Sequence, residues 1–300
     1  MADPLSQLIQ LLRPKTVFTK GISGAGRWAV RYSEFGQPSF CTVVAGSCRL
    51  VVDGTAPVTL QAGDFVLLPT TPGFTLSGFE PVQPTFIDPK VTSAPVDEVR
   101  HGRADGEPDV RLLGGYFLLE SPDAGLLVSL LPTLVHLRGI ERLSTLVRLM
   151  GDEASNERPG RDLVLGRLVE ILLVEALRSI QGEGATPGLL RGLGDPRLAT
   201  AIRAIHADPA HPWTVAELAS DAALSRSVFF DRFTRAVGVP PMEYLLVWRM
   251  ALAKDLLRQR DVDLAAIAER VGYRSASTFS TAFSRHVGQP PGRYARLALA

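Results

Sequence analysis

The fold of this 300-residue chain is decided by the stretch Ile267-Ala268-Glu269-Arg270-Val271-Gly272-Tyr273-Arg274-Ser275-Ala276-Ser277-Thr278-Phe279. A stretch of the same design begins at Ala219, 49 residues before Ala268. After the turn the offset is 50, because the second copy has one extra residue. The positions matching at this constant offset are the pairs Phe229/Phe279, Phe233/Phe283, Gly238/Gly288, Pro240-Pro241/Pro290-Pro291 and Tyr244/Tyr294. Such a repeat predicts one supersecondary unit built twice.

Each copy has the pattern of a helix, a short turn and a second helix. Gly272 suits the left-handed residue that ends the first helix of the second copy. Ser225 and Ser275 are natural N-caps of the second helices, because a short side-chain oxygen accepts a hydrogen bond from an unpaired backbone amide. The two phenylalanines of each copy lie four residues apart and form a buried stripe. These features are typical of a helix-turn-helix.

A helical pattern of about 20 residues, 242–260, connects the two copies. At about 1.5 Å per residue it spans about 30 Å, whereas successive major grooves on one face of DNA lie about 34 Å apart. A rigid helix of this length would hold two recognition helices in adjacent grooves. From Asp195 onward the chain carries 14 Arg and Lys against 10 Asp and Glu, within a total net charge of +1. This local basic excess favours contacts with phosphates.

Residues 195–300 resemble the DNA-binding domain of AraC/XylS-family transcription regulators. The resemblance is carried by the doubled pattern, by Trp248-Arg249-Met250 in the connecting helix and by the stretch 267–273. It implies an all-α domain that contacts double-stranded DNA with two recognition helices, Ser225 to Ala236 and Ser275 to Val287. The family's base-contacting positions correspond to Ser227, Phe230, Asp231, Ala276, Ser277, Ser280 and Thr281. Related sequences often carry arginine at positions 231 and 281.

The outward faces of the two recognition helices supply the other DNA-contact candidates. Those residues are Ser225, Arg226, Arg232, Arg235, Arg274, Ser275 and Arg285. The residues predicted to bind phosphate are Arg232, Arg235, Arg249, Lys254, Arg274 and Arg285. The first helix has more polar groups than the second, so base specificity is expected to depend mainly on the first.

Residues 16–90 contain short β-rich runs separated by Gly, Pro and Asp. The predicted strands are 28–32, 40–44, 48–52, 58–60, 65–68 and 74–76. A hairpin turn is predicted at Ala45-Gly46-Ser47, between Cys41 and Cys48. Many short strands at this spacing predict a sandwich or small barrel. The order of strands and turns through Gly63 and Pro69 resembles the cupin barrel at the front of many AraC-type regulators, over about residues 1–115.

The barrel departs from metal-binding cupins at Phe74, and from this regulator subgroup at Cys41 and at Gly114, where the subgroup often carries cysteine. Phe74 stands where metal cupins carry a histidine, and Cys41 stands where this regulator subgroup often carries one. A catalytic metal needs three or four convergent ligands, so neither a metal nor a cofactor is expected. The two cysteines are expected to fill core space rather than to form a redox pair. Candidate residues for a ligand pocket, or alternatively for plain core, are Trp28, Tyr32, Phe40, Val43 and Leu50.

A charged loop at 90–111 and a strand at 115–119 precede helical patterns at 123–131, 139–154 and 161–181. The last helix is apolar nearly all round, so it must be buried on more than one side. It is either a core helix of one chain or a helix packed on the barrel and on a second subunit. The resemblance favours the second alternative and hence a homodimer.

The chain is therefore predicted to be α+β, with an N-terminal cupin-like β-barrel carrying a helical dimerisation segment and a C-terminal all-α double helix-turn-helix domain. The predicted bounds are 1–181 for the sensor and dimerisation domain, 182–194 for a Gly-rich linker and 195–300 for the DNA-binding domain. No apolar run reaches the roughly 18 residues of a membrane span, and no signal pattern is seen. A cytoplasmic protein without a membrane partner is expected.

The leading hypothesis is a ligand-responsive transcription regulator, not an enzyme. Its partners would be double-stranded DNA, an unidentified small-molecule effector in the barrel and RNA polymerase. One alternative is a cupin-type enzyme with a helical appendage. Another is a regulator-fold interaction protein with weak DNA affinity, because Asp231 accepts hydrogen bonds from cytosine but repels phosphate.

Overall fold

The structure, a computed structural model, describes residues 3–89, 98–119, 128, 131–156, 158–179, 188–258 and 263–298. The chain separates into two compact units. Leu12–Thr186 form the first, here called the barrel unit, and Met1–Leu11 together with Pro187–Ala300 form the second, the helical unit. Among the described residues, the barrel unit contains the β-sheet and two long helices, whereas the helical unit contains helices and loops. The predicted α+β class and the predicted order of its parts are confirmed.

Ten strands form the mixed sheet within the described residues. They are β1 (Pro14–Ala25), β2 (Ala29–Tyr32), β3 (Ser39–Val52), β4 (Val58–Gln61), β5 (Phe65–Leu68), β6 (Phe74–Ser77), β7 (Thr85–Ile87), β8 (Glu98–Gly102), β9 (Val110–Leu119) and β10 (Val135–Leu137). The main order is β7-β2-β6-β3-β9-β1-β8, with β4 and β5 also paired to β3 and β10 paired to β5. The pairs β1/β8 and β2/β7 are parallel. The central strand β3 pairs with β4 and β6 on one side of the barrel and with β5 and β9 on the other, so it joins the two sides.

β3 corrects the predicted hairpin. Its residues 39–42 pair with β5, and its residues 47–50 pair with β4. The strand bends at Gly46, where φ is +74° and where a Cβ would collide with the carbonyl oxygen of Asp109. The hairpin predicted at residues 45–47 is therefore wrong, since Cys41 and Cys48 lie on one continuous strand.

Four strands were not predicted: β1, β7, β8 and β10. β8 lies inside the segment 90–111, which was predicted to be a loop, and it pairs with β1 at the edge of the sheet. β1 is rich in Gly, Thr and Lys and lacks an alternating apolar pattern. Its pairing with β9 along most of its length stabilises it instead. The predicted strands at 28–32, 40–44, 48–52, 58–60, 65–68, 74–76 and 115–119 do lie in strands of the structure.

Two helices, α2 (Glu141–Ser155) and α3 (Arg161–Arg178), pack on the sheet. α2 buries Leu143, Val147 and Met150. These helices confirm the predictions at 139–154 and 161–181, the second as far as Arg178, whereas residues 180–181 and most of the helix predicted at 123–131 lie outside the described residues. α3 buries one side in this chain, and its Leu163, Val164 and Ile171 are exposed. Within the described residues, α3 is therefore not buried all round.

The helical unit contains eight further helices within the described residues. They are α4 (Leu189–Gly194), α5 (Pro196–Ala207), α6 (Val215–Asp221), α7 (Arg226–Val237), α8 (Pro241–Leu257), α9 (Leu264–Arg270), α10 (Ala276–Val287) and α11 (Pro291–Ala298). Asp195 caps α5 by accepting from the backbone amides of Arg197 and Leu198, and Pro196 occupies the first turn. Thr214 and Glu217 form a capping box that begins α6.

Part of the predicted linker is helical. Residues 189–194 form α4, and Leu189 is fully buried. A Cβ at Gly192 would lie 2.7 Å from Ile202 Cδ1 and 2.8 Å from Val237 Cγ2. Glycine therefore serves close packing at this position, not flexibility. Residues 182–187 of the predicted linker lie outside the described residues.

The N-terminal helix α1 (Pro4–Leu12) belongs, through Leu11, to the helical unit. The sequence had placed it in the sensor domain. His206 Nδ1 donates to the side-chain oxygen of Gln7 over 2.8 Å. In this tautomer Nε2 accepts from the Tyr244 hydroxyl over 2.6 Å. The imidazole also stacks on Trp248, with ring centroids 3.9 Å apart. A buried neutral histidine thus joins α1 to α5 and α8.

The buried position of His206 predicts an acid-sensitive fold. Burial lowers the pKa of His206 to about 3, although nearby Asp3 acts to raise it. The unfolded chain, with a histidine pKa of about 6.5, binds a proton first, so stability falls as the pH drops from 6.5 towards 3. Well below pH 6.5 this slope is about 1.4 kcal/mol per pH unit. Urea unfolding from pH 7.5 to 5, followed by tryptophan fluorescence, measures it.

His206→Asn is the matched variant, because the amide keeps a donor near Nδ1 but does not titrate. It should be less stable than the wild type at pH 7.5, and its unfolding free energy should vary less with pH below 6.5. Equal slopes in the two proteins would show that His206 does not control acid sensitivity.

Candidate DNA-binding surface

The predicted repeat is present at the level of single hydrogen bonds. Helices α6 and α7 form the first element, and α9 and α10 form the second. The Leu224 amide donates to the Ala219 carbonyl over 2.9 Å, and the Tyr273 amide donates to the Ala268 carbonyl over 2.8 Å. The preceding residue is left-handed in both turns, with φ +51° at Ala223 and +80° at Gly272. The two predicted helix-turn-helix elements are therefore confirmed.

The buried aromatic side chains also repeat their geometry. In the first element the ring centroids of Phe229 and Phe233 are 5.5 Å apart, and Tyr244 lies edge-on to Phe233 at 5.8 Å. The corresponding distances in the second element are 5.5 Å and 5.6 Å. All four phenylalanines are fully buried. Each aromatic group fixes its recognition helix on the helix that follows.

The two serines at the helix starts act as caps. Ser225 Oγ accepts from the Val228 amide over 3.4 Å, and Ser275 Oγ accepts from the Thr278 amide over 3.2 Å. Both residues remain exposed. Each serine therefore caps its helix, α7 or α10, and a DNA contact by the same hydroxyl would have to leave this hydrogen bond in place.

The outer face of α7 presents the predicted residues together. The exposed ones are Arg226, Ser227, Phe230, Asp231, Arg232 and Arg235. Phe230 is 41% exposed, and Val228, which the sequence did not single out, is 50% exposed. Exposed apolar groups on a recognition helix suit the methyl group of thymine. Val228 could have been identified from the sequence, because it is apolar but does not share the buried helix face of Phe229 and Phe233.

The outer face of α10 offers fewer free hydrogen-bond donors than its Ser and Thr residues indicate. Ser277, Thr281, Arg274 and Arg285 are exposed, whereas Ala276 and Ser280 are half-buried. Ser280 Oγ donates to the Ala276 carbonyl over 2.7 Å, and Thr281 Oγ1 donates to the Ser277 carbonyl over 3.1 Å. These hydroxyl protons are used within the helix, so Ser280 and Thr281 offer DNA mainly acceptor oxygens.

Three predicted phosphate contacts are engaged elsewhere. Arg232 Nε pairs with Asp195 Oδ2 at 2.5 Å, across 37 residues of sequence. Arg249 donates to backbone carbonyls of the α5–α6 loop. Lys254 is buried, its ammonium lies 5.9 Å from the centre of the Tyr294 ring, and burial lowers its pKa to about 8. The phosphate roles predicted for Arg249 and Lys254 are corrected, and Arg226, Arg235, Arg274 and Arg285 remain the exposed cations.

The barrel interior holds four of the five predicted pocket residues. Trp28, Tyr32, Val43 and Leu50 belong to one cluster of buried side chains. Phe40 lies on the opposite face of β3 and stacks on Phe117, with ring centroids 6.3 Å apart. The prediction that Phe40 lines the interior is therefore corrected.

Two clefts lie outside that interior, between the sheet and α2. Their volumes are about 260 and 250 Å³, and Arg148 borders both. Val43 borders the first cleft, but neither cleft is lined by Trp28, Tyr32, Phe40 or Leu50. They are open grooves and not the interior pocket that the sequence predicted.

The two cysteines lie in the barrel as thiols. Burial raises the pKa of Cys41 and of Cys48 to about 12. Both therefore stay protonated at neutral pH and are poor nucleophiles. Within the described ranges, no group of three His, Cys, Asp or Glu side chains is arranged to hold a metal ion. In the same residues, no helix is both long and apolar enough to cross a bilayer.

A β-barrel unit followed by two matched helix-turn-helix elements defines a DNA-binding transcription regulator with an N-terminal sensor-type domain. A cupin family model matches residues 3–181, and a helix-turn-helix domain model matches residues 218–297. An AraC-like transcription regulator of Streptomyces lividans is 38% identical over 301 residues, covering 97% of each chain. One from Streptomyces antibioticus is 37% identical, covering 97% of this chain and 98% of its own. The chain belongs to the family of AraC-like transcription regulators.

Among solved structures, the DNA-binding domain of AdpA in complex with a target DNA is 29% identical. The similarity covers 34% of this chain and 92% of that one, with a TM-score of 0.32. The family matches confirm the predicted AraC-type regulator, its cupin-like first part and its helix-turn-helix second part.

The exposed arginines predict a difference in salt dependence. Arg226→Ala should lower the slope of log affinity against log salt by about 0.9, the value for one lost phosphate contact. Arg232→Ala should leave the slope nearly unchanged, because its guanidinium is held by Asp195. Gel-shift titrations over 50–300 mM salt measure both slopes. A reduced slope for Arg232→Ala together with an unchanged slope for Arg226→Ala would reverse the assignment.

Proposed function

We propose that this regulator binds one DNA site with both recognition helices and that α7 carries more of the base specificity than α10. The observation that carries the proposal is the difference between their exposed faces. α7 presents Arg226, Ser227 and Asp231 to solvent. α10 presents small hydroxyls that already donate to its own backbone. A good bidentate base contact contributes about 1–3 kcal/mol of discrimination, and these hydroxyls make few such contacts. The second recognition helix would therefore be held mainly through phosphates, with Arg274 and Arg285 as the donors.

Paired double variants test this division of work. Ser227→Ala with Asp231→Ala should change which bases are preferred under α7. Ser277→Ala with Thr281→Ala should weaken binding to all sequences about equally. Binding-site selection from a random DNA pool on both proteins measures the preferences. The reverse pattern would refute the proposal, and wild-type protein that selects no sequence at all would refute specific binding itself.

We infer that the barrel interior binds a small polar effector. Tyr32 Oη and His101 Nε2 are buried and have no hydrogen-bond partner among the described residues. Lys20 Nζ lies 6.0 Å from the centre of the Tyr32 ring, and burial and the Lys20 charge both lower the pKa of His101. Buried polar atoms are nearly always bonded, so a ligand with acceptor groups would complete this site. Its role is binding and not catalysis, in keeping with the regulators to which the chain is related.

Tyr32→Phe separates the effector proposal from a plain core. Removing an unbonded buried hydroxyl should stabilise the ligand-free barrel by about 1 kcal/mol, while the mass of any small molecule that copurifies with the wild type should disappear. Native mass spectrometry and thermal unfolding of both proteins give these results. A destabilised variant that still carries the same ligand would contradict the proposal.

We further propose a homodimer formed through α3. Leu163 is 67% exposed, and Val164 and Ile171 on the same helix are also exposed. Leu149 on the neighbouring helix α2 is 50% exposed as well. A helix this apolar is stable when a second surface covers it. A second copy of the chain would supply that surface with two-fold symmetry.

Charge substitutions on α3 test the dimer. Leu163→Glu with Ile171→Glu should give a monomer by sedimentation equilibrium, since a carboxylate cannot be buried unpaired at an interface. Leu297→Glu is the matched control, because Leu297 is 62% exposed but lies on α11 in the helical unit. Equal association of both variants would argue against α3 as the interface.

A regulator of this kind would work in the cytoplasm, where RNA polymerase would be a second protein partner. Run-off transcription with purified polymerase tests the partnership. A transcript yield that does not change when the protein occupies the promoter would contradict it.

A further inference from the structure

The side chain of Arg249 holds the loop that precedes the first element. Arg249 lies near the middle of α8, the helix connecting the two elements. Its Nε donates to the Pro209 carbonyl over 2.7 Å, and its Nη2 donates to the His211 carbonyl over 2.8 Å. Both carbonyls belong to the loop between α5 and α6. The guanidinium therefore binds the first half of the helical unit through two backbone groups.

That loop is itself held by hydrogen bonds. Asp208 Oδ1 accepts from the His211 amide over 3.0 Å, and the Asp208 carbonyl accepts from Trp213 Nε1 over 2.8 Å. These bonds hold the loop that carries both carbonyls independently of Arg249. A planar, charged fork meeting two fixed acceptors loses less entropy per bond than a flexible cation.

The same guanidinium touches the turn of the second element. A Cβ at Gly272 would lie 2.6 Å from Arg249 Nη2 and 2.7 Å from the Ala210 carbonyl oxygen. Gly272 has φ +80° and lies between α9 and α10. The turn that leads into the second recognition helix therefore packs directly on Arg249 and on the α5–α6 loop. Glycine is required here both by backbone conformation and by space.

Three segments consequently meet at one side chain: the α5–α6 loop, the middle of α8 and the α9–α10 turn. On either side of Arg249, α8 is buried in both halves of the unit, with Trp248 stacked on His206 and Met250 in the cluster around Phe279 and Phe283. Apolar packing along α8 holds each element but is non-directional. The directional bonds of Arg249 fix its guanidinium to the α5–α6 loop, and the α9–α10 turn of the second element packs against that fixed guanidinium.

We propose that Arg249 is a positioning residue that fixes the orientation of α10 relative to α7, so that both helices fit successive major grooves of one DNA site. It acts without contacting DNA. Two linked binding elements gain affinity only when their geometry allows simultaneous contact. Loss of the Arg249 bonds therefore removes the cooperation between the elements and leaves each element intact. The inference rests on DNA binding by both recognition helices.

The test compares two DNA probes with full-length protein. One probe is the site that wild-type protein selects from a random pool, and the other has the bases under α10 scrambled. Arg249→Met keeps much of the side-chain length but removes every donor. It should weaken binding to the full site by about ten-fold or more, within the range that linkage contributes. Its affinity for the scrambled site should stay within about two-fold of the wild type.

Spacing and salt give two readouts that a merely destabilised protein would not change in this way. Insertion of one or two base pairs between the half-sites should weaken wild-type binding more than Arg249→Met binding, because the variant no longer holds a fixed orientation. The salt slope of Arg249→Met on the scrambled site should equal that of the wild type, since no phosphate contact is lost.

Matched variants keep the proposal falsifiable. Arg203→Met removes an exposed arginine from α5 and should leave both affinities unchanged. Gly272→Ala keeps the guanidinium but pushes the turn away from it, so it should reproduce the pattern of Arg249→Met even if the latter folds poorly. Equal losses on both probes, or no loss on the full site, would overturn the proposal. Failure of wild-type protein to select any site would instead count against specific DNA binding.

Discussion

The burial of α8 between two hydrophobic cores is the constraint on which the helical unit depends. Its first half carries Tyr244, which lies edge-on to Phe233 of the first element, and Trp248, which stacks on His206. Its second half carries Met250 and Leu257, which belong to the core of the second element. Because one continuous helix completes both cores, neither element can repack without displacing the other. The recognition helices are thereby carried on a common rigid rod about 25 Å long.

The helical unit was largely predictable because its signals are local. A serine cap, a left-handed turn residue and two phenylalanines four residues apart all act within one helical turn of each other. The repeat doubled this information, and the backbone hydrogen bonds at the turn of the first element have counterparts in the second. What the sequence could not show was the use of long side chains. Arg232 pairs with Asp195, 37 residues away in sequence, and Arg249 donates to the Pro209 carbonyl, 40 residues away.

The barrel was predicted less well because its strands depend on distant partners. A glycine with positive φ is needed in a hairpin turn and equally at a bend within a strand, so Gly46 was assigned to the wrong structure. The register shift between Val43 and Ala45 adds a local irregularity that the run of residues does not reveal. Phe40 was misplaced for a related reason, since strand alternation alone does not say which face is the interior. β1 and β8 are too polar to be recognised without the strands beside them.

The helix α1 makes the helical unit discontinuous in sequence. Its residues are synthesised before those of the barrel strands, whereas His206 and Tyr244, to which it is linked through Gln7, are synthesised about two hundred residues later. All strands of the barrel are synthesised in between. The barrel can therefore fold while α1 is still unpartnered, and the helical unit is completed last. A fragment that begins after the barrel would lack one of its own helices and leave the ring of His206 without its Gln7 acceptor. The helical unit is therefore not an independent module joined to the end of the barrel, because it includes a helix that precedes the barrel in sequence.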